Sequence, residues 1–473
     1  MSRYLSRAAG WLVLLLMPAL AACSSTSTTA PPPAEPRAEV RPKNVILFIS
    51  DGCGPASFTM ARAYRRDVLG RDEGLALDPF LVGTVQTHAA DTRVTDSAAG
   101  ATAFACGVKT YNGAIAVDTL RQPLGTLVEA AEARGLATGL VATSTITHAT
   151  PAAFSAHVPA RGMTAEIAAQ QITRGIDVLF GGGLRDYLPV AEGGSRQDGR
   201  NLLEEARAAG YTVATTRDAF DRLDAAPALA LMAPGHMAYE LDRNGAEQPS
   251  LAEMTRKALD LLAGDPDGFF LMVEGSRIDH AAHGNDAAGH LHDILAYDEA
   301  VAVALAFARE EGHTLVVATS DHETGGLTLG RSLDGRGVYA WYPEVLAGVR
   351  RSNEGLAKML EAGADPAAVL RTGGLDPDDL DAADRQALLD AAEEGDTGAF
   401  LARYNDVIAR RAVIGWTTTG HTGVDVNLYA FGPGADRFRG NQDNTDVGRR
   451  LADLLGLDLP AATKALRTSA ATR

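Results

Sequence analysis

The chain has 473 residues, 46% of them hydrophobic and 22% charged, proportions that suit a folded protein with a sizeable core and exclude a fibrous or mainly disordered one. Its formal charge of −17, from 60 acidic and 43 basic side chains, excludes the basic footprint of a nucleic-acid-binding surface. It leaves room for an anionic substrate, because bound divalent cations can invert the field of a carboxylate-rich site.

At the start, Arg3 and Arg7 precede an apolar stretch at residues 11–20. That stretch is too short to cross a bilayer as a stop-transfer helix but suits the core of a signal peptide. Leu20-Ala21-Ala22-Cys23 follows, and small residues ending at a cysteine resemble a bacterial lipoprotein cleavage box. The resemblance implies that residues 1–22 are removed and that Cys23 carries lipid, tethering the protein to a membrane without a spanning helix. Ser24 in place of Asp points to the outer membrane, with the protein exported to the periplasm or the cell surface. The competing reading is an ordinary cleaved signal in which Cys23 is incidental. Residues 23–42 are rich in Ser, Thr, Ala and Pro and read as a flexible tether.

From residue 43 to about 460 the body alternates strand-like and helix-like segments. Asn44–Ser50 (NVILFIS) is a continuous apolar run bounded by polar residues, and residues 136–144, 269–273, 314–319 and 424–431 read alike. Runs apolar on both faces suit strands buried between helix layers. Residues 124–134 and 251–262 read as amphipathic helices, the second stopping near Gly264. The alternation predicts an α/β fold of three layers, α/β/α, with a central, mainly parallel sheet. Residues 339–414 are helix-rich, acidic in their middle and poor in strand signals, which predicts an insertion between two core strands. Residues 461–473 read as a frayed tail. Export permits a disulfide between Cys53 and Cys106, but two buried thiols are expected.

In open α/β sheets, ligands bind beyond the carboxyl ends of strands, so the residues after each apolar run carry the functional reading. The first run ends in Asp51-Gly52. The run at 269–273 leads into Glu274-Gly275 and then Asp279, His280 and His283. The run at 314–319 leads into Asp321-His322, and His421 precedes the last run in Thr419-Gly420-His421-Thr422-Gly423. One Asp after a strand is usually a turn residue or a cap, and one loop His is usually just solvated. Carboxylates gathered from three strand ends, however, repel one another without cations. Mixed Asp, Glu and His ligands suit zinc and magnesium. In Thr95-Asp96-Ser97-Ala98-Ala99, Asp96 or Ser97 begins a small-residue helix. By itself this is an ordinary N-cap. Beside a metal ion, a serine hydroxyl at a helix N-terminus becomes a nucleophile facing a bound anion.

Together, Asp51-Gly52, Asp96-Ser97-Ala98-Ala99, the segment from Val273 to His283, Asp321-His322 and Thr419-Gly420-His421 resemble the alkaline phosphatases in order and approximate spacing, from about residue 44 to 450. The resemblance implies hydrolysis of small phosphate monoesters through a phosphoserine on Ser97, at a site holding two zinc ions and one magnesium ion. It implies Asp279, His283 and His421 as ligands of one zinc, and Asp51, Asp321 and His322 as ligands of the other. Asp51 would also bridge to magnesium, with Thr150 and Glu274. Arg161 matches the arginine that clamps phosphate oxygens, a task for which a guanidinium fork is shaped. His148 and His280 stand where some bacterial relatives have Asp and Lys, one shell behind magnesium and phosphate. Many relatives are homodimers, which makes a homodimer a further expectation. Two other readings compete. A phosphodiesterase on the same scaffold commonly has threonine as nucleophile, where this chain has Ser97. A lipoprotein that captures phosphate or metal without turnover would have lost a ligand or the nucleophile.

Overall fold

The computed structural model describes residues 41–333 and 335–471; the signal segment, Cys23 and nearly all of the tether lie outside them. Within Asn44–Ser50 every residue is buried. Ile46 and Phe48 enter one apolar cluster, while Val45, Leu47 and Ile49 enter another. A strand with helices packed on both faces needs an uninterrupted apolar run, which is what this segment supplies.

That strand, β1, sits inside a ten-stranded sheet. The others, in chain order, are β2 (Leu81–Gln86), β3 (Ala137–Thr145), β4 (Val178–Gly182), β5 (Thr212–Ala214), β6 (Ala228–Leu231), β7 (Phe269–Gly275), β8 (Thr314–Thr319), β9 (Val426–Phe431) and β10 (Gly440–Asp443). Their spatial order is β10-β2-β9-β8-β1-β7-β3-β4-β6-β5. All pair in parallel except β9, which runs antiparallel to both β2 and β8. Helices cover both faces, so the fold is the three-layer α/β/α architecture. Register sets the site. Ile49 pairs with Glu274 on one side and with Thr319 on the other, which brings the ends of β1, β7 and β8 level at one edge.

Two of the expected strands, Asn44–Ser50 and Thr314–Thr319, form over the predicted residues, as does the helix Leu251–Leu262. That helix starts with a reciprocal cap between Ser250 and Glu253. The expected frayed tail needs correction: Leu459–Ala471 is a helix. It is held by the Gly125 amide donating to Thr463 Oγ1 at 2.8 Å and by Arg467 bonding both Asp118 and the Pro123 carbonyl. Cys53 and Cys106 are buried free thiols in clusters on opposite faces of the sheet.

Between β8 and β9 the chain forms the helices Asn353–Glu361, Pro366–Thr372, Ala382–Glu393 and Thr397–Ala412. Their residues Leu356, Leu370, Leu388 and Phe400 join the cluster that contains Ile46 and Phe48, so these helices extend the layer on one face. No described helix is long and apolar enough to cross a membrane.

Candidate active site

Asp51 follows β1 directly and is fully buried. The turn after it requires glycine on two counts. Gly52 has φ +68°, and a Cβ there would lie 2.7 Å from Asp279 Oδ1 and 2.8 Å from Thr324 Oγ1. The close approach lets the Gly52 amide donate to Asp321 Oδ1 at 3.2 Å. Asp321 and His322, just past β8, are also fully buried. His322 Nε2 lies 3.4 Å from Asp51 Oδ1 and 3.3 Å from Asp321 Oδ2.

A second cluster adjoins the first. Asp279 and His283 share the short helix Arg277–His283. One helical turn of separation puts them on one face, with His283 Nε2 3.3 Å from Asp279 Oδ2. His421 Nε2 comes within 3.6 Å of Asp279 Oδ1 and 3.1 Å of His283 Nε2. The Nδ1 atoms are engaged elsewhere: that of His283 meets the Thr419 carbonyl at 2.6 Å, and that of His421 meets the Thr95 carbonyl at 2.8 Å. Donation to a carbonyl puts the proton on Nδ1 and turns the Nε2 lone pair inward, the arrangement of a metal-ligating imidazole. The rings of His322 and His421 stack with centroids 3.6 Å apart, which joins the two clusters.

The third cluster comprises Asp51, Glu274 and His148, each offering a ligand atom within 4.8 Å of the others. Thr150 follows on the helix Ala149–Ser155, for which His148 is the N-cap residue. Sequence reasoning set His148 behind the ligands; the fold brings it among the ligand atoms.

The electrostatics agree with cation binding. Burial first, and then the neighbouring Asp321 and Asp279, push the Asp51 carboxyl well above its ordinary range. Asp321 is raised by burial, then by Asp279 and Glu274, and Glu274 is pushed up to about 7, chiefly by burial. No donor sits in hydrogen-bonding geometry to either oxygen of Asp51 or Glu274, to Asp321 Oδ2 or to Thr150 Oγ1. Buried acceptors are normally paired, and carboxylates this close neutralise or bind cations. These orphaned oxygens, with the inward-facing imidazoles, fit divalent metal ions at all three clusters.

Ser97 opens the helix Ser97–Cys106, capped by Asp96, which accepts from the Ala99 amide. It is 1% exposed, and its Oγ lies 3.3 Å from His322 Nε2, so the hydroxyl shares the pocket of the second cluster. Arg161 donates to Asp96 Oδ2 at 3.0 Å and to His148 Nε2 at 3.1 Å. Its guanidinium is thus held between the residue preceding Ser97 and the third cluster. His280 packs edge-on to His148 with centroids 5.3 Å apart. Burial, above all, depresses the His280 imidazole to about 3.

Three residues escaped the sequence reading. Thr324 links the clusters by donating to Asp279 Oδ1 at 2.6 Å, with His322 Nδ1 at 3.2 Å. His236 packs against His280 at a tilt of 59°, centroids 4.6 Å apart, and accepts from the Thr145 amide at 3.1 Å. It lies five residues past β6, and the strand-end rule applied to that short strand would have found it. Arg277, beside Asp279, carried no local signal.

The chain is similar to known proteins over most of its length. The sequence profile of the alkaline phosphatase family matches residues 42–457. The repressible alkaline phosphatase of Saccharomyces cerevisiae is 40% identical, over 91% of this chain and 84% of its own. Alkaline phosphatase 3 of Bacillus subtilis is 40% identical over 86% and 88%. The crystal structure of a cold-active alkaline phosphatase from a psychrophilic Shewanella species superimposes with a TM-score of 0.79 at 36% identity, covering 87% of this chain and 99% of that one.

Proposed function

The chain belongs to the alkaline phosphatase family and is a phosphomonoester hydrolase, and we propose that it turns over through a covalent phosphoserine on Ser97. The observation that carries the proposal is the Ser97 hydroxyl, at a helix N-terminus and 3.3 Å from His322 Nε2, amid carboxylate oxygens that lack protein donors.

Asp279, His283 and His421 would hold one zinc ion. Asp51, Asp321 and His322 would hold the other, and Asp51, Glu274 and Thr150, with His148 beside them, would hold magnesium. When bound, the cations supply Lewis acidity, lowering the pKa of a serine hydroxyl or a water and neutralising charge on the phosphoryl oxygens. Arg161 clamps two phosphoryl oxygens and, tied to Asp96, orients them over Ser97. The positive end of the Ser97–Cys106 helix dipole favours the same anion. Ser97 Oγ gives up its proton to water and bonds to phosphorus as the bond from phosphorus to the alcohol oxygen breaks, and the departing alkoxide takes that proton back from the solvent. Water then adds to phosphorus on the opposite side. The Oγ–P bond breaks, Ser97 regains a proton and inorganic phosphate leaves.

Rapid acid quenching with a ³²P-labelled monoester tests this. Wild type should retain label on the chain, and a folded Ser97→Ala variant should retain none. A normal burst of label in that variant would overturn the assignment. We also propose that lipid on Cys23 anchors the exported protein. Metabolic labelling with a fatty acid should mark wild type and leave Cys23→Ala unmarked, and equal labelling of both would refute the anchor.

A further inference from the structure

Among its contacts with the site, the helix-rich segment between β8 and β9 reaches Arg277 through Glu354. Glu354, in the helix Asn353–Glu361, pairs with Arg277 Nη2 through Oε2, and its other oxygen accepts from Lys358 at 2.6 Å. Arg277 is buried and stacks on Tyr239, its guanidinium carbon 3.7 Å from the ring centroid. Through Nη1 it donates to His280 Nδ1 at 2.9 Å. The start of the Glu354 helix is fixed to the core. Asp286 accepts from the Asn353 amide at 2.7 Å, Asp242 accepts from the Ser352 amide at 3.1 Å, and Asn353 Nδ2 donates to the Gly284 carbonyl at 3.3 Å. Glu354 therefore meets Arg277 from a rigid base.

We propose that Glu354 and Arg277 are positioning residues for His280, a relay by which the helical insertion holds that imidazole as an Nε2–H donor toward the phosphoryl group. The chemistry follows from the hydrogen bond. Arginine can only donate, so His280 Nδ1 must accept, and the ring proton resides on Nε2. The ring abuts His148, which touches the phosphate clamp Arg161 at 3.1 Å. Glu354 balances the buried guanidinium, and without it Arg277 is a buried cation with less reason to keep its place. This inference rests on the site being the phosphomonoesterase centre described above.

The test is a double-mutant cycle on the metal-loaded enzyme, reading the affinity of inorganic phosphate by calorimetry together with KM and kcat for p-nitrophenyl phosphate. Glu354→Gln should weaken phosphate binding and raise KM by about fivefold, the equivalent of one hydrogen bond, with kcat, metal content and Tm little changed. The double variant Glu354→Gln/His280→Ala should bind phosphate no worse than His280→Ala alone. Unchanged phosphate affinity in Glu354→Gln, losses that multiply in the double variant, or a fall in metal content matching the loss of affinity would each overturn the relay. A wild type that binds phosphate yet forms no phosphoserine would instead overturn the covalent route and leave this cycle readable.

Discussion

Two sets of buried carboxylates in this protein are solved in opposite ways. In the insertion, Asp384 is 3% exposed and lies between Arg403 and Arg410, with Arg410 Nη2 at 2.7 Å. Asp286, equally buried, accepts from the Gly289 amide at 2.8 Å and the Asn353 amide at 2.7 Å. At the sheet edge, Asp51 and Glu274 are fully buried and have no such donors. Burying a charge without a partner is costly. Where the chain supplies donors, the acid serves architecture. Where it withholds them, the acid is kept for a cation.

The sharpest break in that comparison is Asp51→Asn, because Asp51 belongs to two of the three clusters. Activity should fall by about 10³-fold or more, with loss of bound metal in elemental analysis. In metal-free protein the same change should cost no stability, since it removes an unpaired buried acid. A metal-free Asp51→Asn variant less stable than metal-free wild type would mean that the site carboxylates are architectural after all. Chelation comes next in size. Stripping metal from wild type should lower stability by about 4 kcal/mol if the free ion had stood 1,000-fold above its dissociation constant, and differential scanning calorimetry before and after readdition would measure it. Glu354 and Asp384 should show no such metal dependence.

The mirror-image variant is Asp384→Ala. It removes the buried partner of Arg403 and Arg410, which keep Asp406 and are partly exposed, and should cost about 1 kcal/mol in urea unfolding. Metal content and kcat should stay at wild-type values. Reduced metal binding in this variant would show that the insertion acts on the ligands through its packing, and the two sets of acids would no longer be separable.

What the sequence revealed follows the same divide. β1 and β8 were legible because strands covered on both faces must be apolar throughout, and Asp51, Asp321 and His322 were legible because they stand immediately after such strands. β2 and β10 were not: β2 is largely exposed or half-buried, and β10 reads GNQD, so neither carries an apolar pattern. The reversed direction of β9 leaves no mark on its own residues. The Leu459–Ala471 helix was read as a tail because its anchors, Gly125 and Asp118, are more than 300 residues away in the chain. Glu354 was invisible for the same reason, its partner Arg277 lying 77 positions earlier.

Asp293 falls between the two sets and gives the smallest effect. It is buried on the long helix Ala287–Glu311 and accepts from the Glu240 amide at 3.2 Å. Burial pushes its carboxyl up to about 8 from an ordinary value near 3.8. The folded state then holds a proton that the unfolded chain has already released, so the contribution to stability is full below about pH 4 and is lost as pH rises through about 8. Asparagine keeps the shape and cannot ionise. Asp293→Asn should therefore match or fall slightly below wild type at pH 5 and exceed it at pH 9, by about 2–4 °C in Tm. Metal-loaded protein should show the same crossover, because Asp293 belongs to none of the three metal clusters. Parallel Tm curves for the two proteins from pH 5 to 9 would mean that Asp293 is already ionised in the fold, and it would then belong with Asp384 and Asp286.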